Sequence, residues 1–158
     1  MTNKPKQIGT MAETAVVRYL QKNGFPHAER RALRGVHDAG DVTGCPGLCV
    51  EIKGGDAAKV ASDRQIEAWL TETDLEVLHA RADVGILVMQ RAGYGAARCD
   101  SWWVAIRMRY FTPASANGPL ADVWVRMTLD VAVRWLRVNG YGAPLDTTED
   151  RGRLTMSA

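Results

Sequence analysis

A chain of 158 residues and 17.3 kDa, 46 % apolar and 24 % charged, is long enough to bury one sizeable core and too ordinary in composition to be disordered or collagenous. A formal net charge of +2 does not announce a nucleic-acid binder, and no uncharged run approaches the ~18 residues of a membrane helix. The opening MTNKPKQIGTMAET has no apolar signal core, and the cysteines, Cys45, Cys49 and Cys99, are odd in number and suggest no disulfide framework. The expectation is a protein of the cytoplasm without a membrane partner.

Residues 8–22 set Ile8, Met11, Ala12, Ala15, Val16, Tyr19 and Leu20 at helical spacing. Gly24 ends that helix and Pro26 blocks its continuation. The glycine-punctuated residues 27–54 predict short strands, the clearest being 48–53. Ser62 reads as an N-cap with Gln65 three positions on, as in a capping box, opening a helix to about His79. Ile66, Trp69, Leu70, Thr73 and Val77 would face inward. The apolar run 84–89 suits a central strand covered on both faces. Residues 101–108 alternate, with Trp102, Val104, Ile106 and Met108 on one face and Trp103, Ala105 and Arg107 on the other. A loop over 112–121, a short strand near 123–126 and a helix over 129–138 capped by Thr128 follow. There is no internal repeat. Residues 1–141 read as one domain and residues 142–158 as a flexible tail. Helices and strands in this order imply an α/β sandwich, a central mixed β-sheet flanked by helices.

The chemistry concentrates at Gly40-Asp41-Val42-Thr43 and Val50-Glu51-Ile52-Lys53. Alternation sends Leu48, Val50 and Ile52 into the core and Cys49, Glu51 and Lys53 to the opposite face. A carboxylate and an ammonium two residues apart on one strand can flank one ligand, and Asp41 on a neighbouring strand adds a second carboxylate. Such oxygens suit Mg²⁺, which takes few carboxylates and keeps waters for substrate phosphates. Taken alone, Glu51-x-Lys53 is also an ordinary solvated charged pair. The apolar character of the strand argues for a polar face opening into a cleft, and Gly54-Gly55 for room beside a ligand. Asp38 competes with Asp41; Val42-Thr43 continues Asp41 as a strand and favours it. Cys45 and Cys49 lack the C-x₂-C spacing of zinc sites.

Asp41, nine intervening residues and then Glu51-Ile52-Lys53 resemble the signature of the PD-(D/E)XK nuclease superfamily, with Gly40 in the place of its proline. The series Glu13, Gly24-Phe25, Arg30-Arg31, Asp41, Glu51, Lys53 and Gln65 resembles Holliday-junction resolvases of the archaeal type. Residues 65–69, Gln-Ile-Glu-Ala-Trp, are also similar to the Gln-x-x-x-Tyr element of exonuclease-type relatives. The resemblance covers residues 8–108 and leaves the last fifty unmatched.

The resemblance implies a restriction-endonuclease-like fold and a Mg²⁺-dependent DNA endonuclease, with Mn²⁺ able to substitute. Asp41 and Glu51 would hold the metal with the Ile52 carbonyl, and Glu13 would join through the metal or its water. Lys53 would orient the attacking water or stabilise phosphoryl charge, and Gln65 would contact the scissile region. Glu13 reads equally as an exposed helix glutamate, and Gln65 as half of the capping box. Arg30, Arg31 and Arg34 could bind DNA phosphates or form a solvated basic edge. Arg outnumbers Lys 15 to 5, which a GC-rich genome explains as well as a DNA footprint does. Trp102 and Trp103 would stack on bases or, more ordinarily, fill the core or a dimer interface. The implied partner is a four-way DNA junction, bound by a homodimer in a bacterial or phage-infected cell. Another nuclease of the same fold, restriction-like, repair or flap-cutting, is the alternative, as is a non-catalytic DNA-binding or scaffold subunit.

Overall fold

The computed structural model describes residues 4–32 and 39–146. Helix α1 (Lys4–Lys22) starts a turn earlier than the apolar spacing predicts and ends at Gly24, whose φ of 102° suits glycine. Two short strands, β1 (Glu29–Arg30) and β2 (Val42–Thr43), form an antiparallel hairpin. Then come β3 (Leu48–Lys53), a single-turn helix α2 (Asp56–Lys59), the long helix α3 (Asp63–Ala80) and β4 (Val84–Met89). Strand β5 (Trp103–Arg107), the short helix α4 (Pro113–Ala116), β6 (Trp124–Thr128) and α5 (Leu129–Val138) complete the chain.

The main sheet has four strands in the order β3-β4-β5-β6. The β3–β4 pair, joined by the α3 crossover, is parallel, and the other two pairs are antiparallel. The molecule is thus α/β with a mixed sheet. β4 is interior and all six of its residues are buried, as its unbroken apolar run requires. Helices α1 and α5 cover one face, where Val16, Leu20, Val50, Ile52, Ile86, Val104, Ile106 and Leu136 close the larger core. Helix α3 covers the other, with Ile66 and Leu70 on Leu87, Met89 and Ala105.

Local differences from the sequence reading have simple causes. Ser62 Oγ accepts the Gln65 N–H at 3.2 Å, but the exposed Gln65 amide makes no return bond among the described residues, so the capping box is only half closed. Thr128 precedes α5, yet its hydroxyl turns to the Asp130 carboxylate rather than to a backbone N–H. Met108 leaves β5 in a 3₁₀ turn. The expected loop 112–121 holds α4, closed by a reciprocal Thr112–Ser115 capping box that the local sequence hides behind Pro113. Past Gly142 the chain is still held, since Ala143 N–H donates to Gly24 O at 2.7 Å.

Candidate active site

β3 forms one edge of the main sheet, so one side of its backbone has no strand partner within that sheet. In an extended strand the N–H and C=O of one residue point to the same side, and successive residues alternate. Lys53 O accepts Gln90 N–H (2.9 Å) toward β4, whereas Val50 O accepts Asp41 N–H (2.8 Å) toward the hairpin. Ile52 shares the parity of Val50. Its N–H is taken by Asp41 Oδ2 at 2.8 Å, and its carbonyl projects from the same edge. The Asp41 carboxylate and the Ile52 carbonyl are thereby neighbours. The second Asp41 oxygen accepts no hydrogen bond among the described residues.

Gly40 sets up this arrangement. Its φ is 86°, and a Cβ there would lie 3.0 Å from both Cys49 Sγ and Val50 O. Proline, locked near −65°, cannot occupy the position in this backbone. Arg31 braces the turn, donating its N–H to Asp41 O (2.8 Å) and Nε to Gly40 O (3.0 Å).

Glu51 and Lys53 point to the α3 side of β3, as alternation requires. Lys53 Nζ contacts Glu51 Oε1 at 2.7 Å, lies 3.9 Å from the Glu72 carboxylate, and sits 5.9 Å from the Trp69 ring centroid. The polar face does not open into a cleft along its length. Cys49 is wholly buried and Glu51 is 6 % exposed, because α3 lies across them; only the Lys53 end reaches solvent. Burial pushes the Glu51 carboxyl up to about 7, the Lys53 ammonium opposes that, and Glu76 on α3 adds to it. Asp41 is likewise pushed up to about 7, by burial and then by the Glu51 charge, with Glu13 a smaller contributor. Burial alone would lower Lys53, but Glu51, Glu72 and Asp41 together outweigh it and the net shift is upward.

Glu51 Oε2 is buried without a hydrogen-bond partner. A bond to Glu76 would need a proton on one of the two carboxyls, since ionised carboxylates only accept. Asp41 and Glu51, both raised by burial and by a neighbouring acid (Glu51 for Asp41, Glu76 for Glu51), with one oxygen orphaned, form a donor set that a small hard cation would relieve. No group of three or more His, Cys, Asp or Glu side chains is arranged around a metal position among the described residues. A metal here would draw on two carboxylates and the Ile52 carbonyl, and Mg²⁺ is the cation that accepts so few protein ligands.

The other predicted residues divide. Glu13, on α1, is close enough for Asp41 to feel its charge, but its carboxylate is engaged by Arg30 at 2.7 Å. That ion pair also occupies Arg30, which leaves Arg31 the more available of the two cations. Arg34 and Asp38 lie outside the described residues. Gln65 is one turn beyond Trp69 on the helix face that carries Glu72 and Glu76, and it touches neither carboxylate of the site. Gly54 and Gly55 make room for a helix, not for a ligand: a Cβ at Gly54 would lie 2.6 Å from Ala12 Cβ, and one at Gly55 2.8 Å from Ile8 Cγ2. Trp102 is core, with Nε1 donating to Tyr94 O at 2.9 Å, and Trp103 is half-buried. The three cysteines are buried, and none is in a disulfide among the described residues. Glu76 and Glu72 were missed, although the spacing 65, 69, 72, 76 puts them on one face of a helix. No family model, no curated protein and no solved structure matches the chain.

Proposed function

We propose that this chain is a Mg²⁺-dependent DNA endonuclease on a restriction-endonuclease-like fold, and within that class a Holliday-junction resolvase. The observation that carries the reading is the proximity of Asp41, Glu51 and Lys53 at β3, Asp41 on its outer edge beside Ile52 and the other two on its α3 face, with Glu51 Oε2 buried and unsatisfied. A divalent cation, when bound there, would supply Lewis-acid stabilisation of a phosphate oxygen and a more acidic water as nucleophile. Asp41 and Glu51 hold its charge. Glu51 also fixes the Lys53 ammonium, whose remaining N–H donors face the solvent-reaching end of the site and are placed to stabilise charge building on the phosphoryl oxygens. Arg31 and the hairpin keep Asp41 in register with Ile52. Mn²⁺ would substitute through the same oxygens. Such a reading places the protein where DNA is, in the cytoplasm of a bacterial or phage-infected cell.

The depth of Glu51 under α3 favours one rival, a non-catalytic DNA-binding or scaffold subunit whose acidic pair is a relic sealed from solvent. The two separate in one experiment. Purified protein is incubated with labelled four-way junction, duplex, flap and single-stranded DNA, with Mg²⁺, with Mn²⁺ and with EDTA. Metal-dependent cleavage that disappears in Glu51→Gln supports the nuclease. Binding without cleavage under every condition supports the subunit.

A further inference from the structure

β3 and β4 are parallel, so their carboxyl ends leave the sheet side by side. Gln90 N–H donates to Lys53 O at 2.9 Å, and the Gln90 side chain takes Gly55 N–H at 2.8 Å. The next residue is Arg91. Its guanidinium carbon lies 3.9 Å from the Trp103 ring centroid and 4.5 Å from that of Tyr94. Its hydrogen bond is a long one, 3.4 Å, to Ser101 O. No carboxylate pairs with it among the described residues, whereas Arg30, Arg98, Arg107, Arg109 and Arg126 each hold at least one. A guanidinium carries five N–H donors in one plane. Two rings hold this one in place, and most of its donors remain unused.

The row Lys53, Met89, Trp103 runs straight across three strands, so Trp103 is two strand spacings, about 10 Å, from Lys53. Beyond Arg91 the turn is open: a Cβ at Gly93 or Gly95 would meet nothing within 4 Å. Arg126 continues the patch, 5.5 Å from the Trp103 ring centroid and 5.8 Å from that of Trp124. A planar fork without a counter-ion fits the two free oxygens of a phosphodiester. Half-buried rings beside it fit unpaired bases better than a closed duplex.

We propose that Arg91, held between Tyr94 and Trp103, binds a backbone phosphate of a single-stranded nucleic-acid segment that crosses the ends of β4 and β5 from the Asp41–Glu51–Lys53 site. This rests on the nuclease reading for its direction, but its test does not need cleavage. Labelled oligothymidine and a duplex of equal length are titrated, without metal, at several salt concentrations against wild type, Arg91→Gln, Arg91→Lys and, as control, Arg81→Gln at the far end of α3. Arg91→Gln should weaken single-strand binding about tenfold and lower the salt slope by about 0.7, one phosphate contact. Arg91→Lys should restore the slope but only part of the affinity, and the control should change neither. Circular dichroism checks the fold, and if Arg91→Gln does not fold, the Lys variant carries the comparison. Unchanged binding in both Arg91 variants overturns the proposal, as does inorganic phosphate competing as well as the oligonucleotide. If the Arg91 effect holds and no metal elicits cleavage, the strand-binding site stands and the nuclease reading falls. Cleavage with a silent Arg91 sinks this proposal alone.

Discussion

Glu51 accepts the Lys53 ammonium on one oxygen and nothing on the other, and it faces a second acid across α3. Replacing it by Gln removes a repulsive charge and, on the proposed reading, a metal ligand. Cleavage should be lost in Glu51→Gln, while the metal-free protein melts higher than wild type at alkaline pH. A variant that turns over like wild type would remove Glu51 from the site. The acids also fix a pH dependence. Asp41 and Glu51 rise from 3.8 and 4.5 to about 7 on folding, so over that window the folded chain binds more protons than the unfolded one. Stability is therefore fully present at the acidic end and is lost as pH rises toward 7. Metal-free melting temperatures across this range should fall with pH, fall less in Glu51→Gln, and recover at the alkaline end on adding Mg²⁺. A profile in Glu51→Gln as steep as in wild type would count against it. Lys53→Ala should slow cleavage by about 10²-fold, the scale of a group acting on the transition state. Single-turnover rates at saturating DNA separate this from lost affinity.

Helix α3 is held over the site from the far side of the sheet. Arg107, buried in β5, bonds Glu67 (2.8 Å), Asp74 (3.1 Å) and Asp122 O (2.5 Å). It ties two turns of α3 and the approach to β6 to one guanidinium. Arg107→Ala should cost about 2 kcal/mol, because charged hydrogen bonds are lost while Glu67 and Asp74 can still turn to water. The urea midpoint should drop at constant m-value, and Arg107→Met, which keeps the packing stem, should drop less. Equal losses in both variants would make the ion pairs the whole effect. This clamp marks the limit of what the sequence discloses. β3, β4 and the Ser62 start of α3 were legible because each is local: an apolar run, an alternation, a cap. Arg107 was legible only as one residue of an alternating face, since its partners lie 33 and 40 positions away. Glu76 was illegible for the same reason, as an acid on a helix signals burial only once the helix is laid on a sheet. Gly54 was misread because glycine beside a charged strand looks the same whether a ligand or Ala12 comes close.

At the scale of the whole molecule, a resolvase must cut two strands, which calls for a two-fold pair of sites. A junction should then bind far more tightly than a duplex of the same sequence, through the paths of its phosphates rather than its bases. Mixing wild-type with Glu51→Gln subunits should give dimers that nick one strand of the pair. Equal cleavage of duplex and junction would leave a nuclease without the junction specificity. The hairpin has a bearing on how the molecule behaves in company. The flank of β3 is closed by the hairpin backbone at Val50 O and by one side chain, Asp41, at the Ile52 N–H. Remove that acceptor and the carboxyl end of this strand edge is left with an unpaired N–H at which another chain can begin to add itself. Asp41→Ala should thus precipitate or form soluble aggregates on storage, seen by light scattering, where Asp41→Asn, which keeps an oxygen for Ile52, stays monodisperse. The carboxylate proposed to serve the chemistry is, on this account, also a guard against unwanted polymerisation.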